Sequence, residues 1–190
     1  MKGIWLVRHG ALPPNPQRRF IGASDVPLDE TGRAQFRALA VELADVLRGG
    51  ALAAIYCSDL SRGRESAAIL STSAPGVPLR HAPELREISL GQWEGRTPAE
   101  VERDFPGQYA ERGRELVSFR PPGGESFAML RRRALAAKAR MRAHFPDGLL
   151  LVVGHAGINR VLLAEYLALP LPDALRIPQP YACRAFLARW

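Results

Sequence analysis

Leu6-Val7-Arg8-His9-Gly10 closes the first apolar run of the chain. A strand that ends abruptly on an arginine and a histidine is hard to explain by packing alone. The guanidinium offers a rigid fork of N–H donors that matches a phosphate, and the imidazole offers a ring nitrogen able to attack phosphorus. Gly10 removes the Cβ where a ligand or a turning backbone would need close approach. Taken alone, the tripeptide reads equally well as a strand end carrying two solvated polar residues. The segments downstream decide between the two.

Ile4–Val7 has the character of a short buried strand. Asp29-Glu30-Thr31 can start a helix, because Phe36, Leu39, Ala40, Leu43, Val46 and Leu47 recur at helical spacing before Gly49-Gly50 stops it. Ala53–Cys57 reads as a second strand, with a helix from about Asp59 to Ser71 after it. Thr97-Pro98-Ala99-Glu100 is a capping box with proline at the first helical position, so a helix should run towards Glu111. Phe127–Phe145 reads as a longer helix, Leu149–Val153 as a parallel-type strand, and Ile158–Leu169 as the helix that follows it. Ala182–Ala188 fits a last strand near a sheet edge, given the prolines before it. No repeat or composition break divides the chain, so residues 1–190 are expected to form one domain. Alternating strands and helices predict a three-layer α/β/α sandwich with a mostly parallel central sheet. In such folds ligands bind beyond the carboxyl ends of the strands.

Composition narrows the class. The 190 residues are 47% hydrophobic, as in an ordinary soluble globular protein. No apolar stretch approaches the roughly 20 residues that span a bilayer, and no signal peptide is read at the start. Cys57 and Cys183 each sit inside an apolar run and read as packed thiols, which suits a cytoplasmic protein. The net charge is +7, with Lys2 and Lys138 the only lysines among 26 basic residues. Such a balance suits nucleic acid or an anionic small molecule. The arginines are scattered rather than interleaved with aromatics, so no nucleic-acid partner is expected, and Arg131-Arg132-Arg133 reads as a solvated helix face.

The three clearest strands all end in residues capable of chemistry. The first gives Arg8-His9-Gly10, the second Ser58-Asp59-Leu60-Ser61-Arg62, and the third Gly154-His155-Ala156-Gly157. Arg62 falls in the first turn of its helix, where a cation opposes the helix dipole unless an anion binds. Backbone N–H groups at the helix start after His155 can face the same anion. Alone, His155 would read as a hydrogen-bonded core histidine; its strand-end placement, matching His9, favours the paired reading. A fourth segment, Leu85 to Gly95, is a glycine-rich loop with carboxylates. A loop carboxylate beside a phosphate dianion is pushed towards its protonated form, which suits a general acid. Glu87 is the candidate, with Glu84 and Glu94 as competitors.

Arg8-His9-Gly10, Arg62, Glu87 with Gly91-Gln92-Trp93-Glu94-Gly95, and Gly154-His155-Ala156-Gly157 together resemble the histidine phosphatase superfamily, also called phosphoglycerate-mutase-like, in order and over nearly the whole chain. Arg19 to Leu28 and Pro122 to Phe127 resemble further family segments. The resemblance implies that His9 is the phosphorylated nucleophile and Glu87 the proton donor. It makes Arg8, Arg62 and His155 the phosphate pocket, and it implies neither metal nor organic cofactor. The acidic and hydroxyl residues that usually follow the motif are replaced by Ala11 and Leu12, while Asn15 falls where the family often carries a phosphate-contacting asparagine. Asn159 is expected on a helix surface and Arg160 in a structural ion pair.

Phosphoryl transfer needs charge neutralised on the equatorial oxygens, an in-line nucleophile and a protonated leaving group. Arg8, Arg62 and a protonated His155 are expected to neutralise, and their field should keep His9 neutral. Glu87 would protonate the departing alcohol and then activate water. The short stretch from Glu94 to Gly123 leaves little room for the cover that mutases place over the pocket, so hydrolysis of a phosphorylated small molecule is expected. Length and the Phe20–Leu28 segment are most similar to α-ribazole phosphatases of cobalamin synthesis. The alternatives are a broad-specificity sugar or nucleotide phosphatase, a phosphoglycerate mutase, or a catalytically silent phosphate-binding module. A monomer and a homodimer are both compatible with the sequence.

Overall fold

The computed structural model describes residues 2–188. Its centre is a five-stranded sheet of order β3-β2-β4-β1-β5, formed by β1 (Gly3–Arg8), β2 (Leu52–Cys57), β3 (Leu79–His81), β4 (Leu149–Gly154) and β5 (Arg184–Leu187). All neighbours are parallel except β5, which runs antiparallel to β1 at the edge. Pairing of Arg8 with Gly154 and of Cys57 with Val153 brings the ends of β1, β4 and β2 level. Alternation then sorts the core. Ile4, Leu6, Tyr56, Leu150 and Val152 face α6 (Phe127–His144) and α7 (Ala156–Tyr166). Val7, Ile55, Cys57, Leu151 and Val153 face α1 (Glu30–Glu42) and α3 (Ser61–Ser71). The three-layer α/β/α sandwich expected from the sequence is the fold observed.

Several boundaries differ from expectation, each for a local reason. The helix expected to run unbroken to Gly49 ends at Glu42 and restarts as α2 (Ala44–Arg48), with Leu43 serving as cap to both. The Thr97 capping box is present, but Phe105-Pro106-Gly107 divides the segment into α4 (Pro98–Asp104) and α5 (Gln108–Arg114). Pro106 cannot continue the helix, and Gly107 turns the chain at φ +77°. Strand β3 was not anticipated; three residues with two exposed side chains leave no periodicity to read. Among the described residues, no helix is long and apolar enough to cross a membrane.

Candidate active site

The carboxyl ends of β1 and β4 carry the two imidazoles to a centroid separation of 5.0 Å. Both rings are enclosed: His9 is 3% exposed and His155 fully buried. His9 Nδ1 lies 2.8 Å from the Gly10 carbonyl oxygen. A carbonyl can only accept, so Nδ1 carries the proton and Nε2 keeps its lone pair. Burial, reinforced by Arg8 and Arg62, drops the His9 pKa to about 3 despite the opposing Gly10 bond. The ring is therefore neutral and its bare nitrogen is Nε2. Gly10 owes its identity to packing, since a Cβ there would run into the backbone of Gly32 in the first turn of α1. Of the two roles open to it, the turning backbone is the one observed.

His155 is fixed from both sides. Arg62 Nε donates to its Nδ1 at 3.2 Å, and its Nε2 meets the Ser58 hydroxyl at 2.7 Å. Burial, then His9 and the arginines, hold its pKa well below the ordinary histidine value. His155 is thus neutral in the free site, not the cation expected from sequence, and the positive charge here belongs to the two arginines.

Arg62 is 1% exposed. Besides His155 it donates through Nη1 to the Ser24 carbonyl at 2.6 Å and through Nη2 to that of Gly22 at 2.7 Å. Arg8 donates through Nη1 to the Gln179 carbonyl, lies 4.1 Å from the Tyr181 ring centroid, and leaves its buried Nε without a partner. Among the described residues neither arginine has a carboxylate within ion-pair distance. Burial lowers the pKa of both. Charge enclosed with incomplete compensation is what an anion site requires.

Glu87 completes the group. Its two carboxylate oxygens accept from the Gly157 N–H at the start of α7, at 3.0 and 2.9 Å, and Oε1 also accepts from its neighbour Ile88. Its competitors are engaged elsewhere. Glu84 pairs with Arg140 at 2.7 Å, while Glu94 accepts from Ala23 N, Leu90 N and Ser24 Oγ, bracing the loop whose carbonyls hold Arg62. Arg133 is not on a solvated face. Its guanidinium forms a two-point pair with Glu125 and reaches the carbonyls of Glu84, Arg86 and Glu87. Burial works to raise the Glu125 pKa, but the Arg133 and Ser89 bonds outweigh it and the pKa is lowered.

Other expected residues fall differently. The Asn15 amide closes a local turn, donating to Arg19 O at 2.8 Å and accepting from Arg19 N at 2.9 Å, so a phosphate contact would require that turn to open. Asn159 is buried, 1% exposed, with its side-chain oxygen against Gly154, and is not a surface residue. Arg160 donates to the Ile177 carbonyl and makes no ion pair among the described residues. Both cysteines are free, and burial pushes the Cys57 thiol up to about 12. Among the described residues no three His, Cys, Asp or Glu side chains cluster as metal ligands would.

Tyr181 is a neighbour that sequence reasoning missed. Its ring centroid is 5.6 Å from that of His9, and the residue is 37% exposed. The strap that carries it is tied to the backbone of Arg8 and His9: Ala182 N donates to His9 O, and Arg8 N to Cys183 O. Ala182 adopts φ +55°, strain of a kind that gathers at functional sites. The turn-like Pro178-Gln179-Pro180 was the available signal, but nothing in it reveals that the strap returns to β1.

A three-layer sandwich that gathers two histidines, two arginines and a carboxylate at the carboxyl ends of its parallel strands and the segments that follow them defines a phosphate-handling enzyme class. Residues 4–189 match the histidine phosphatase superfamily (branch 1), and the chain belongs to that family. It is 31% identical over 167 residues to the adenosylcobalamin/alpha-ribazole phosphatase of Salmonella typhimurium, covering 88% of this chain and 80% of that protein. It is 33% identical over 176 residues to the glucosyl-3-phosphoglycerate phosphatase of Mycobacterium tuberculosis, covering 88% and 76%. Among solved structures, the alpha-ribazole phosphatase of Shigella flexneri superposes with a TM-score of 0.85 at 26% identity, covering 97% of this chain and 89% of that one.

Proposed function

We propose that the protein hydrolyses a small-molecule phosphate monoester through a phosphohistidine at His9. The observation that carries this reading is the pairing of a bare, neutral His9 Nε2 with two guanidiniums that lack carboxylate partners, Arg62 fully buried and Arg8 half-buried with its Nε enclosed. In the first step His9 Nε2 forms a bond to phosphorus while the bond to the ester oxygen breaks, and that oxygen leaves with the proton of Glu87. Arg8 and Arg62 offset the charge on the non-bridging oxygens. In the second step the Glu87 carboxylate takes a proton from water as its oxygen attacks phosphorus. The N–P bond breaks, inorganic phosphate is released, and Glu87 is again protonated. The neutral His155, locked by Ser58 and Arg62, orients the pocket and adds no net charge in the free site.

For the alcohol portion, α-ribazole 5′-phosphate is the first substrate to test, supported by the name and coverage of the Salmonella relative. The mycobacterial relative, named for glucosyl-3-phosphoglycerate, makes that ester the necessary second arm. The deciding experiment incubates wild type and His9→Ala with labelled substrate and measures phosphate release and acid-labile protein labelling. Wild type should show both and the variant neither. Retained turnover or labelling at another residue rejects the assignment.

A further inference from the structure

We infer that Arg133 and Glu125 form a positioning pair for the general acid, setting where the Glu87 carboxylate stands relative to the leaving oxygen. The inference rests on the phosphohistidine reading above and extends it to residues that touch no reacting atom. A guanidinium has five N–H donors, and all five of Arg133 are engaged. Nε and one Nη2 hydrogen go to the Glu125 carboxylate, each at 2.8 Å. Nη1 donates to the Glu84 and Arg86 carbonyls at 2.8 and 2.7 Å, and the other Nη2 hydrogen to the Glu87 carbonyl at 2.9 Å. Three of four consecutive residues thus turn their backbone towards one planar cation.

The far end of the loop is tied to the same pair. Glu125 Oε2 also accepts from Ser89 N at 3.0 Å, and Glu125 N donates to Ser89 O at 2.8 Å. Arg133 and Glu125 are each only one-fifth exposed, so water competes weakly for these bonds. The loop from Glu84 to Ser89 is therefore held before and after Glu87, while the Glu87 carboxylate is held separately by Gly157. Arg133 belongs to α6, a rigid helix packed on the sheet, and so transmits the scaffold's position to a residue that sits on a loop. A misplaced acid loses leaving-group protonation while binding and nucleophilic attack persist.

The test compares Arg133→Lys and Glu125→Gln with wild type on two esters, an alkyl phosphate and 2,4-dinitrophenyl phosphate, whose leaving group needs no proton. The expected result for either variant is a kcat about tenfold or more lower on the alkyl ester, with KM little changed. On the dinitrophenyl ester, formation of the phosphohistidine should be spared and its hydrolysis slowed, giving a burst. In a double-mutant cycle, Arg133→Lys added to Glu87→Gln should cost less than about twofold further, since no acid remains to misplace. Equal loss in the rate of phosphohistidine formation on both esters, absence of the burst, or full additivity with Glu87→Gln overturns the positioning role in favour of general folding support. Should Arg133→Lys not fold, Glu125→Gln, which leaves the three carbonyl bonds of Arg133 in place, carries the same comparison. Failure of the underlying reading looks different: His9→Ala would then retain turnover whatever the brace variants do.

Discussion

Arg62 donates through Nε to Nδ1 of His155 at 3.2 Å, from a helix on one side of the sheet to a strand end at its centre. A guanidinium has nothing to accept with, so the contact fixes the imidazole tautomer and directs its Nε2 proton towards Ser58. Ser58→Ala should therefore leave a buried N–H without an acceptor, at a cost of about 1–3 kcal/mol in unfolding free energy. Urea unfolding of the two proteins checks it; no loss would mean that the ring finds another acceptor.

Arg62→Lys keeps the charge but loses the planar fork. The Gly22 and Ser24 carbonyls and His155 Nδ1 would be left short of donors, loosening the loop as well as the anion site. Millimolar inorganic phosphate should raise the melting temperature of wild type and leave that of the variant nearly unmoved. An equal rise in both would place the anion elsewhere.

Acid should destabilise this fold through its two enclosed histidines. The His9 pKa is about 3 when folded against an ordinary 6.5, and that of His155 is also well below 6.5. Between those limits the unfolded chain binds protons that the folded chain refuses, so stability rises with pH and falls as pH drops below about 6.5. Each histidine contributes a slope of up to about 1.4 kcal/mol per pH unit in that window. His9→Gln should flatten the curve by about one proton's worth between pH 6.5 and 4, read from denaturant unfolding at several pH values. An unchanged slope would count against a neutral His9.

Tyr181→Ala removes the ring beneath the Arg8 guanidinium, a contact worth about 0.5–1 kcal/mol at a partly exposed site. KM for phosphate esters should rise about two- to fivefold, while Tyr181→Phe, which keeps the ring, stays close to wild type. Steady-state kinetics with one ester decides this, and equal effects of the two variants would shift the role to the hydroxyl.

Glu87→Gln should slow esters of poorly leaving alcohols more than activated aryl phosphates, because only the former need the proton. Values of kcat/KM across a series of leaving groups, which report formation of the phosphohistidine, test it, and a uniform loss in them would deny Glu87 the acid's part.

The sheet, and the residues it gathers into the candidate site, were largely legible because their signals are local. Apolar runs ending in Arg8-His9-Gly10 and Gly154-His155 mark parallel strands and their carboxyl ends together. What stayed hidden depends on distant partners. Arg133 looks like one of three solvated arginines until the loop at residues 84–87 is seen folded over it. Asn159 belongs to a short helix whose surface is largely covered, so its polarity misleads. Asn15 follows a familiar spacing, but its own turn takes both ends of its amide. The charge on His155 was misjudged because its complete burial, the main cause of its lowered pKa, and the nearness of His9 and Arg62 depend on how distant segments pack around it.

Gly10 and Gly32 pass each other with room for hydrogen alone. Evolution at position 32 is consequently yoked to the segment that follows His9, although Gly32 has no side chain to offer the candidate site. A methyl group at position 10 would meet the Gly32 backbone and one at position 32 the backbone of Ala11, so an inherited defect in turnover can originate at a place that looks purely architectural.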